Sequence, residues 1–414
     1  MTELLMTVAV FNGVVMVFVA LILVARALLL GRGSATIDIE GWGSVLAPFG
    51  AKLHQVLSGA GVPLEAGCGG RGTCGSCRIR VGGEAGAPAA TEVALLGEPA
   101  VARGLRLACQ VTVRGPLQVA LPEGLPAAAM RVTVRSTRNL TPLLKEIVLQ
   151  IPDGTAFDFK AGSFVQVTCP PFGLRLAELP IDERFRGAWE RIAANGLEAG
   201  CTRPTTRAYS LANYPGEGHG EGQGQSPIAM LVVRLALPPP GSARGTPAGV
   251  VSTYLFSLRP GDTVSLAGPF GHFVATESDE EMVFVGGGAG MAPLRAHVLE
   301  QILGRRTDRK ISLWYGARSA RDVIYADEFE RLAREHPNFT WSVALSEPEP
   351  DEDWAGPVGF IHQHLHDAYL ATHPAPAACE YYLCGPPLMV HAVVAMLERL
   401  GVDRAKIFYD DFGD

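Results

Sequence analysis

Apolar residues are unevenly distributed, and the first feature is a run of 22 uncharged residues from Leu4 to Ala25. A helix over this run spans about 33 Å, enough to cross a hydrocarbon core of about 30 Å. Only Glu3 carries charge before the run, and Arg26 and Arg32 follow it. A secretory signal has the opposite arrangement, with positive charge first and a small-residue cleavage site last. We therefore predict an uncleaved transmembrane anchor at residues 1–30, with the remaining chain in the cytoplasm by the positive-inside rule.

From about residue 130 to 275, short apolar runs alternate with turn residues, a rhythm typical of an antiparallel barrel or sandwich. Two insertions, Pro170–Pro204 and the glycine-rich Pro215–Pro227, lack this pattern and are predicted to be loops. The predicted strands are Arg131–Arg135, Glu146–Ile151, Phe164–Cys169, Arg207–Tyr214, Ile228–Ala236 and Thr263–Ala267.

Beyond about residue 280, strand-like runs alternate with helical stretches, which predicts a parallel, doubly wound sheet. The predicted strands are Met282–Val285, Ile311–Tyr315, Phe339–Leu345, Glu380–Leu383 and Ile407–Tyr409. The predicted helices are Leu294–Leu303, Glu328–Glu335, Phe360–Leu370 and Leu388–Leu400. The chain is therefore predicted to be multidomain, of mixed α+β and α/β class, with domains at 35–125, 130–275 and 280–414 after the anchor.

Composition narrows the possible functions. Hydrophobic residues make up 48% and charged residues 19% of the 414 residues, which excludes a disordered chain. The net charge is −7 and no basic stripe is visible, so no nucleic-acid partner is expected. Four of the eight cysteines crowd into one region, which indicates a metal site in a reducing compartment instead of secreted disulfides.

The clustered cysteines are Cys68, Cys74 and Cys77, in C-x5-C-x2-C spacing, with Cys109 following 32 residues later. Short strands are predicted nearby at Ser76–Val81 and Leu117–Leu121. Four thiolates can close a zinc site or hold an iron–sulfur cluster. Structural zinc usually uses two C-x2-C pairs, whereas this chain has one pair and a glycine-rich loop that can turn N–H groups toward an anionic cluster. The pattern favours a [2Fe–2S] cluster over zinc, and more strongly over a thioredoxin-like pair.

A flavin site is indicated by Arg207, Tyr209 and Ser210 on a predicted strand. Arginine suits a pyrophosphate, tyrosine suits stacking on a ring, and a hydroxyl can reach a ring nitrogen. Downstream, the segment 247–253 opens a predicted short helix whose N–H groups and hydroxyls could cradle a diphosphate. Its candidate residues are Gly249, Ser252 and Thr253, and the alternative for the two hydroxyls is ordinary helix capping.

The glycine loop at residues 286–293 follows a predicted strand and precedes a helix, the context that a dinucleotide-binding loop requires. Gly288 and Gly290 permit close approach of a pyrophosphate, and Pro293 suits the first helical turn. Gly286 and Gly287 complete the candidate binding set of this loop.

A second candidate loop begins with Cys384, Gly385 and Pro386, at the end of the fourth strand of the same domain. Ligands bind at the carboxyl ends of such strands, so Cys384 is expected to face a nicotinamide. The alternative is that Cys384 is a small buried residue before a turn.

These motifs together resemble the ferredoxin–NADP reductase-like flavoproteins that are fused to a [2Fe–2S] ferredoxin domain. Within them the chain resembles the F subunits of sodium-translocating NADH:quinone oxidoreductases over essentially its whole length. The further motifs that carry the resemblance are Arg-Ala-Tyr-Ser-Leu-Ala-Asn-Tyr-Pro at 207–215, Gly-Pro-Phe-Gly at 268–271, Trp-Tyr-Gly-Ala-Arg-Ser at 314–319 and Asp-Asp-Phe-Gly at 410–413.

The resemblance implies a β-grasp [2Fe–2S] ferredoxin domain, an antiparallel barrel that binds FAD and a Rossmann-like domain that binds NADH. It implies that the cysteines Cys68, Cys74, Cys77 and Cys109 ligate iron. The catalytic residues it implies are Ser210, Cys384 and Phe412, the last near the isoalloxazine ring.

The same resemblance implies partners. The chain would be one of six subunits of a bacterial inner-membrane pump, with ubiquinone reduced elsewhere in the complex. Arg71 and Thr73 depart from the family pattern, because this part of the cysteine loop is usually richer in glycine.

Two other functions share parts of this pattern. The reductase component of a multicomponent oxygenase has the same three modules, but it is usually soluble and usually carries C-x4-C-x2-C. A membrane-anchored zinc adaptor would have no redox activity and no visible absorption. Arg318 follows Tyr-Gly-Ala and suits a 2′-phosphate, so residue chemistry alone does not exclude NADPH, although the resemblance favours NADH.

Overall fold

The computed structural model describes residues 6, 11–21, 33–122, 129–193, 196–217, 227–239, 241–243, 245–350 and 352–410. Residues 11–21 form helix α1. Much of the predicted anchor lies outside the described residues, and no described helix is both long and apolar enough to span a bilayer. The chain divides into two units, Met1–Glu65 with Gly70–Leu125, and Ala66–Gly69 with Pro126–Asp414.

The first unit is built on a mixed five-stranded sheet in the order β2-β1-β5-β3-β4. Strand β1 pairs antiparallel with β2 and parallel with β5. Alternate residues of β1 are buried, as expected for a sheet with one face on a core. The elements are β1 Ser34–Ile39, β2 Gly43–Pro48, α2 Leu53–Gly59, β3 Arg78–Gly83, α3 Ala90–Leu96, α4 Glu98–Ala102, β4 Leu105–Leu107 and β5 Leu117–Ala120.

The second unit begins with an antiparallel barrel of six strands in the order β11-β8-β13-β6-β7-β12. A bridge between Leu211, directly after β11, and Leu231 in the middle of β12 closes it. Inward-facing valines, leucines and isoleucines fill its centre and pack against helix α6. The elements are β6 Met130–Thr141, β7 Leu144–Gln150, β8 Phe164–Cys169, β11 Thr205–Ser210, β12 Ile228–Arg234, α6 Val250–Ser257 and β13 Thr263–Phe270.

The insertion Pro170–Pro204 is not a loop, and that prediction was wrong. It contains β9 Phe172–Arg175, α5 Arg186–Ala193 and β10 Glu198–Cys201, with β9 and β10 paired antiparallel. Trp189 and Ala199 from this insertion are buried with the barrel core, so the segment is held by packing. Most of the second insertion, Pro215–Pro227, lies outside the described residues.

The second unit ends with a parallel sheet in the order β16-β15-β14-β17-β18. The order reverses between β14 and β17, so the crevice at their carboxyl ends is the switch point where ligands bind in such sheets. The elements are β14 Met282–Gly287, α7 Met291–Leu299, β15 Ile311–Ala317, α8 Ala326–Glu335, β16 Phe339–Leu345, α9 Ile361–Ala368, β17 Glu380–Cys384, α10 Pro387–Arg399 and β18 Ile407–Asp410.

Helix α7 differs from its predicted bounds at both ends. It begins at Met291, because the turn of residues 288–290 passes directly into the helix. It stops at Leu299, where residues 300–304 widen into a π-helical turn. The early start places Pro293 in the first helical turn, where its missing N–H breaks no hydrogen bond.

Candidate functional site

The predicted metal ligands lie in two parts of the chain. In the first unit, the sulfur atoms of Cys77 and Cys109 are 3.3 Å apart and both side chains are buried. The N–H of Ala108 donates to the carbonyl of Cys77 at 2.9 Å, which ties the cysteine loop to the segment of Cys109. Cys74 is half-buried in the loop, and Cys68 is buried within Ala66–Gly69.

The backbone of the cysteine loop requires glycine. Gly70, Gly72 and Gly75 have φ angles of 87°, 88° and 68°, in the left-handed region that other residues rarely adopt. At Gly72, a Cβ atom would also lie 2.1 Å from the side-chain nitrogen of Gln110. With these backbone angles, the N–H groups of the loop can face a bound anion such as an iron–sulfur cluster.

The thiols fit a cationic metal centre. Cys77 donates to Cys109 Sγ, and this hydrogen bond together with burial raises the pKa of Cys77. Two thiolates this close repel one another, so both ionise together only beside a cation such as iron.

A buried ion pair supports the segment that leads to Cys109. Glu92 accepts from Arg106 Nε at 2.9 Å and from the N–H of Leu107 at 2.9 Å, and it is fully buried. Burial opposes ionisation of Glu92, but the hydrogen bonds from Arg106 and from the N–H groups of Ala89 and Leu107, with the charge of Arg106, together outweigh it and lower the pKa. The pair holds β4 two residues before Cys109.

The predicted flavin residues lie on β11, beside the closing bridge of the barrel. Arg207 is exposed, Tyr209 is half-buried against the barrel core, and Ser210 is buried. Arg207 and Tyr209 share one face of the strand, whereas Ser210 lies on the other. Burial raises the pKa of Tyr209, so its hydroxyl stays neutral.

The predicted diphosphate cradle is the start of α6. Gly249 is its N-terminal flanking residue, and a Cβ atom there would lie 2.6 Å from Ala236 Cβ. The hydroxyls of Ser252 and Thr253 both donate to the carbonyl of Gly249, at 3.0 and 2.7 Å. Both hydroxyls are therefore held by the backbone at the helix start, and their predicted contact with a diphosphate stays a prediction. The first N–H groups of an α-helix have no partner within the helix, so the start of α6 offers donors that a diphosphate can accept.

The glycine loop leaves β14 at the switch point. Gly288 has a φ of 56°, and no described atom lies within 4 Å of the place where its Cβ would be. Gly290, by contrast, packs so tightly that a Cβ would lie 2.1 Å from the carbonyl oxygen of Cys384. The loop thus has an open position that a ligand can approach and a closed one that joins it to the end of β17.

The loop after β17 forms the other wall of the crevice. Gly385 lies against Gly287, since a Cβ atom on Gly385 would be 3.0 Å from the backbone nitrogen of Gly287. Pro386 is exposed and immediately precedes α10, so the amino ends of α7 and α10 meet here with their positive dipoles. The Cys384 thiol is fully buried among apolar side chains, so its predicted contact with a nicotinamide stays a prediction.

Two family models match the chain. The model described as "2Fe-2S iron-sulfur cluster binding domain" matches residues 39–114, and the model described as "Oxidoreductase NAD-binding domain" matches residues 284–395. These ranges contain the cysteine loop and the switch-point crevice, respectively.

Curated relatives match over the full length. The chain is 42% identical to the F subunit of the Na(+)-translocating NADH-quinone reductase of Methylococcus capsulatus, covering 100% of both chains. It is 43% identical to the corresponding F subunit of Yersinia enterocolitica, covering 99% of this chain and 100% of the relative. The chain belongs to the F subunits of Na(+)-translocating NADH-quinone reductases.

Solved structures place this member of the family in the same fold. A cytochrome P450 reductase from Amycolatopsis is 25% identical, with a TM-score of 0.58 over 91% of this chain and 98% of the other. The ferredoxin reductase of a carbazole dioxygenase is 24% identical, with a TM-score of 0.57 over 92% and 99%. The architecture is a ferredoxin domain joined to ferredoxin–NADP reductase-like FAD and NAD domains.

The structure adds a site residue that sequence reasoning missed. Ser210 Oγ donates to Asp410 Oδ2 at 3.2 Å, across 200 positions of sequence. Asp410 ends β18, so the strand-end rule that selected Cys384 also applied to it. The bond places a carboxylate beside the hydroxyl that is predicted to face the flavin ring.

A second missed feature joins the barrel to the nucleotide-binding sheet. Arg295 of α7 is 5% exposed and donates to Glu217, to Glu328 and to the carbonyl of Ala212. Burial opposes its charge, but the two carboxylates outweigh this and raise its pKa. Arg295 therefore stays charged and fixes the glycine-loop helix against the barrel.

The predicted catalytic residue Phe412 lies outside the described residues.

Proposed function

We propose that this chain is the component through which electrons enter a sodium-translocating NADH:quinone reductase. The observation that carries the proposal is the full-length identity of 42% to an F subunit of such a reductase, in a chain that also has the cysteine loop and the crevice. The chain oxidises NADH and passes the electrons through FAD and a [2Fe–2S] cluster. Quinone reduction and Na⁺ translocation belong to the whole complex, whose other subunits are its partners.

When bound, FAD accepts a hydride from NADH and the [2Fe–2S] cluster accepts one electron at a time. Cys68, Cys74, Cys77 and Cys109 hold the iron as thiolates. The burial of Cys68, Cys77 and Cys109 keeps water from their sulfur atoms and strengthens hydrogen bonds from the loop backbone.

The barrel binds and orients the flavin. Arg207 pairs its exposed guanidinium with the pyrophosphate, and the amino end of α6, shaped by Gly249, Ser252 and Thr253, supports the same group. Tyr209 presents its ring for stacking from the same strand face. Strand β11 and helix α6 both pack against the barrel core, which keeps them rigid.

The crevice binds and orients NADH. Gly286, Gly287, Gly288 and Gly290 let the pyrophosphate approach the backbone, and Pro293 lies in the first turn of the helix whose dipole faces it. Cys384, Gly385 and Pro386 form the wall toward the nicotinamide. Ser210 holds its hydroxyl proton toward Asp410, which fixes the orientation of that hydroxyl at the flavin. Phe412 covers the ring face where the nicotinamide must stack.

The domain boundaries that we propose are 35–125 for the ferredoxin domain, 130–275 for the FAD domain and 280–414 for the NADH domain. Residues 1–30 anchor the chain by a single transmembrane helix in the bacterial inner membrane, with the other domains in the cytoplasm. The assembly has six subunits, and ubiquinone is reduced on another of them. The charge pattern around Leu4–Ala25 supports this part of the proposal.

An anaerobic titration of the purified full-length protein with NADH tests the electron path. FAD takes two electrons and the cluster takes one, so both absorption bands should be bleached completely by about 1.5 NADH per chain. The Cys77→Ala protein should need about 1.0 NADH, because only the flavin remains. Bleaching of the flavin band alone in the wild-type protein would contradict the proposed path.

Deletion of residues 1–30 tests the anchor. The shortened protein should keep NADH–ferricyanide activity and lose NADH–quinone activity in membranes. If the full-length protein is recovered without detergent in the soluble fraction, the anchor is wrong, while the electron path is still tested by the titration. An oxygenase reductase would instead keep its full activity without residues 1–30.

A further inference from the structure

Three side chains of different ligand type meet at the amino ends of β14 and β17. Glu281 immediately precedes β14, Cys379 immediately precedes β17, and His373 lies shortly after α9. His373 Nε2 is 3.2 Å from Glu281 Oε2 and 4.0 Å from Cys379 Sγ, and the three ligand atoms all lie within 4.8 Å of one another. Their side chains are largely buried, with Cys379 1% exposed.

We propose that Glu281, His373 and Cys379 form a binding site for a zinc-class divalent cation. One thiolate, one imidazole and one carboxylate are a donor set that zinc accepts in tetrahedral geometry, with water as the fourth ligand. Ideal zinc–ligand lengths imply a nitrogen–oxygen distance of about 3.3 Å and a sulfur–nitrogen distance of about 3.5 Å. The first is already present, and the second requires the Cys379 sulfur to move by about 0.5 Å.

A cation at this site would keep one existing partner of these residues and displace two. Lys310 Nζ is 3.4 Å from Glu281 Oε2 and also donates to the Tyr369 hydroxyl, but its side chain is 53% exposed and can turn into solvent at the cost of those two contacts. The hydroxyl of Tyr369 donates to the other oxygen, Oε1, so it can orient the carboxylate while Oε2 binds the cation. The N–H of Ala375 donates to His373 Nδ1 at 3.2 Å. A cation on Nε2 moves the ring proton to Nδ1, so this one backbone hydrogen bond is exchanged for a metal–nitrogen bond.

The site is separate from the nucleotide crevice. Glu281 and Cys379 stand at the amino ends of the two strands whose carboxyl ends carry the glycine loop and Cys384. The six residues of β14 span about 20 Å at the usual strand rise. The cation would therefore clamp the two strands that frame the crevice without touching the nucleotide, and its role would be structural.

Equilibrium dialysis of the full-length protein, loaded with flavin and iron, against buffered Zn²⁺ tests the site, with zinc and iron counted separately by mass spectrometry. We expect one zinc per wild-type chain with iron unchanged. Cys379→Ser and Glu281→Gln should each bind zinc at least about tenfold more weakly, since loss of even an outer partner has an effect of that size. Cys201→Ser is the matched control, because it removes a half-buried thiol elsewhere and should leave zinc binding unchanged.

Zinc-edge absorption spectroscopy identifies the ligands. We expect one sulfur neighbour at about 2.3 Å with nitrogen and oxygen neighbours at about 2.0 Å. A spectrum with only sulfur neighbours would place zinc in the four-cysteine loop and overturn the proposal. It would also be overturned if the wild-type protein and Glu281→Gln bound zinc equally. Glu281→Gln keeps side-chain size, so the test stands even if Cys379→Ser does not fold.

Discussion

Acidification should weaken the nucleotide-binding sheet through one buried histidine. His297 of α7 is 0% exposed, with its ring stacked 5.8 Å from Phe284 and edge-on to Phe273 at 5.1 Å. Its Nε2 lies 2.9 Å from the carbonyl oxygen of Phe273, while Nδ1 has no hydrogen-bond partner among the described residues. A proton on Nδ1 would place a charge in an apolar core, so burial lowers the pKa of His297 from 6.5 to about 4.

The sign and size of the effect follow from this difference in pKa. The unfolded chain takes up the proton first as the pH falls, so the free energy of unfolding decreases between about pH 6.5 and pH 4. A pKa difference of about 2.5 units corresponds to about 3 kcal/mol in full. The free energy of unfolding falls by about 2 kcal/mol between pH 7 and pH 5, because over this range His297 takes up a proton in the unfolded chain but hardly in the folded one. The folded protein is half-protonated at His297 only near pH 4.

Urea unfolding followed by circular dichroism at pH 7 and pH 5 measures the difference. His297→Gln keeps an N–H donor for Phe273 but does not titrate, so its loss of stability on acidification should be about 2 kcal/mol smaller than that of the wild type. His391→Gln is the control, because this histidine is exposed on α10 and its replacement should leave the wild-type slope. An equal loss in the wild type and in His297→Gln would refute the reasoning.

Three further predictions concern the cluster, the link between domains and the flavin. Cys77→Ala should lose iron while keeping FAD and NADH–ferricyanide activity, and loss of FAD from the folded variant would contradict separate modules. Arg295→Met should lower the free energy of unfolding by about 3–5 kcal/mol, since it leaves two partly buried carboxylates unpaired. Arg305→Met removes a more exposed ion pair and should lower the free energy of unfolding by at most about 1 kcal/mol. Equal losses of stability in the two variants, measured by urea unfolding, would refute the distinction between the buried and the exposed pair. Phe412→Ala should keep FAD, reduce discrimination against NADPH and alter stopped-flow flavin reduction; unchanged rates with both nucleotides would contradict the gating role.

The strands were most predictable where β-branched and aromatic residues are dense. Phe164–Cys169 and Phe339–Leu345 have the predicted bounds, because segments rich in such residues favour strands over helices. The short strands Phe172–Arg175 and Glu198–Cys201 were missed, since glycine and charge interrupt them and the barrel core supplies their stability.

The chemistry of the site was predictable only where it is local in sequence. The cysteine spacing and the glycine loop each occupy a few consecutive residues, and the two matching family models confirm the domain types that they predicted. Asp410 could not be paired with Ser210 in this way, because the contact depends on β18 adding to the edge of the sheet beside β17. Glu281, His373 and Cys379 likewise come together only through strand order.

The hydrogen bond between Ser210 and Asp410 also bears on how the chain matures. Domains generally fold from the amino terminus as they leave the ribosome, so the barrel strands emerge well before β18. A further 200 residues must therefore be synthesised after Ser210 before its partner Asp410 is present. A nascent barrel that captures its flavin early would do so in a form that lacks this contact, and completion of the site would be a late event of biogenesis.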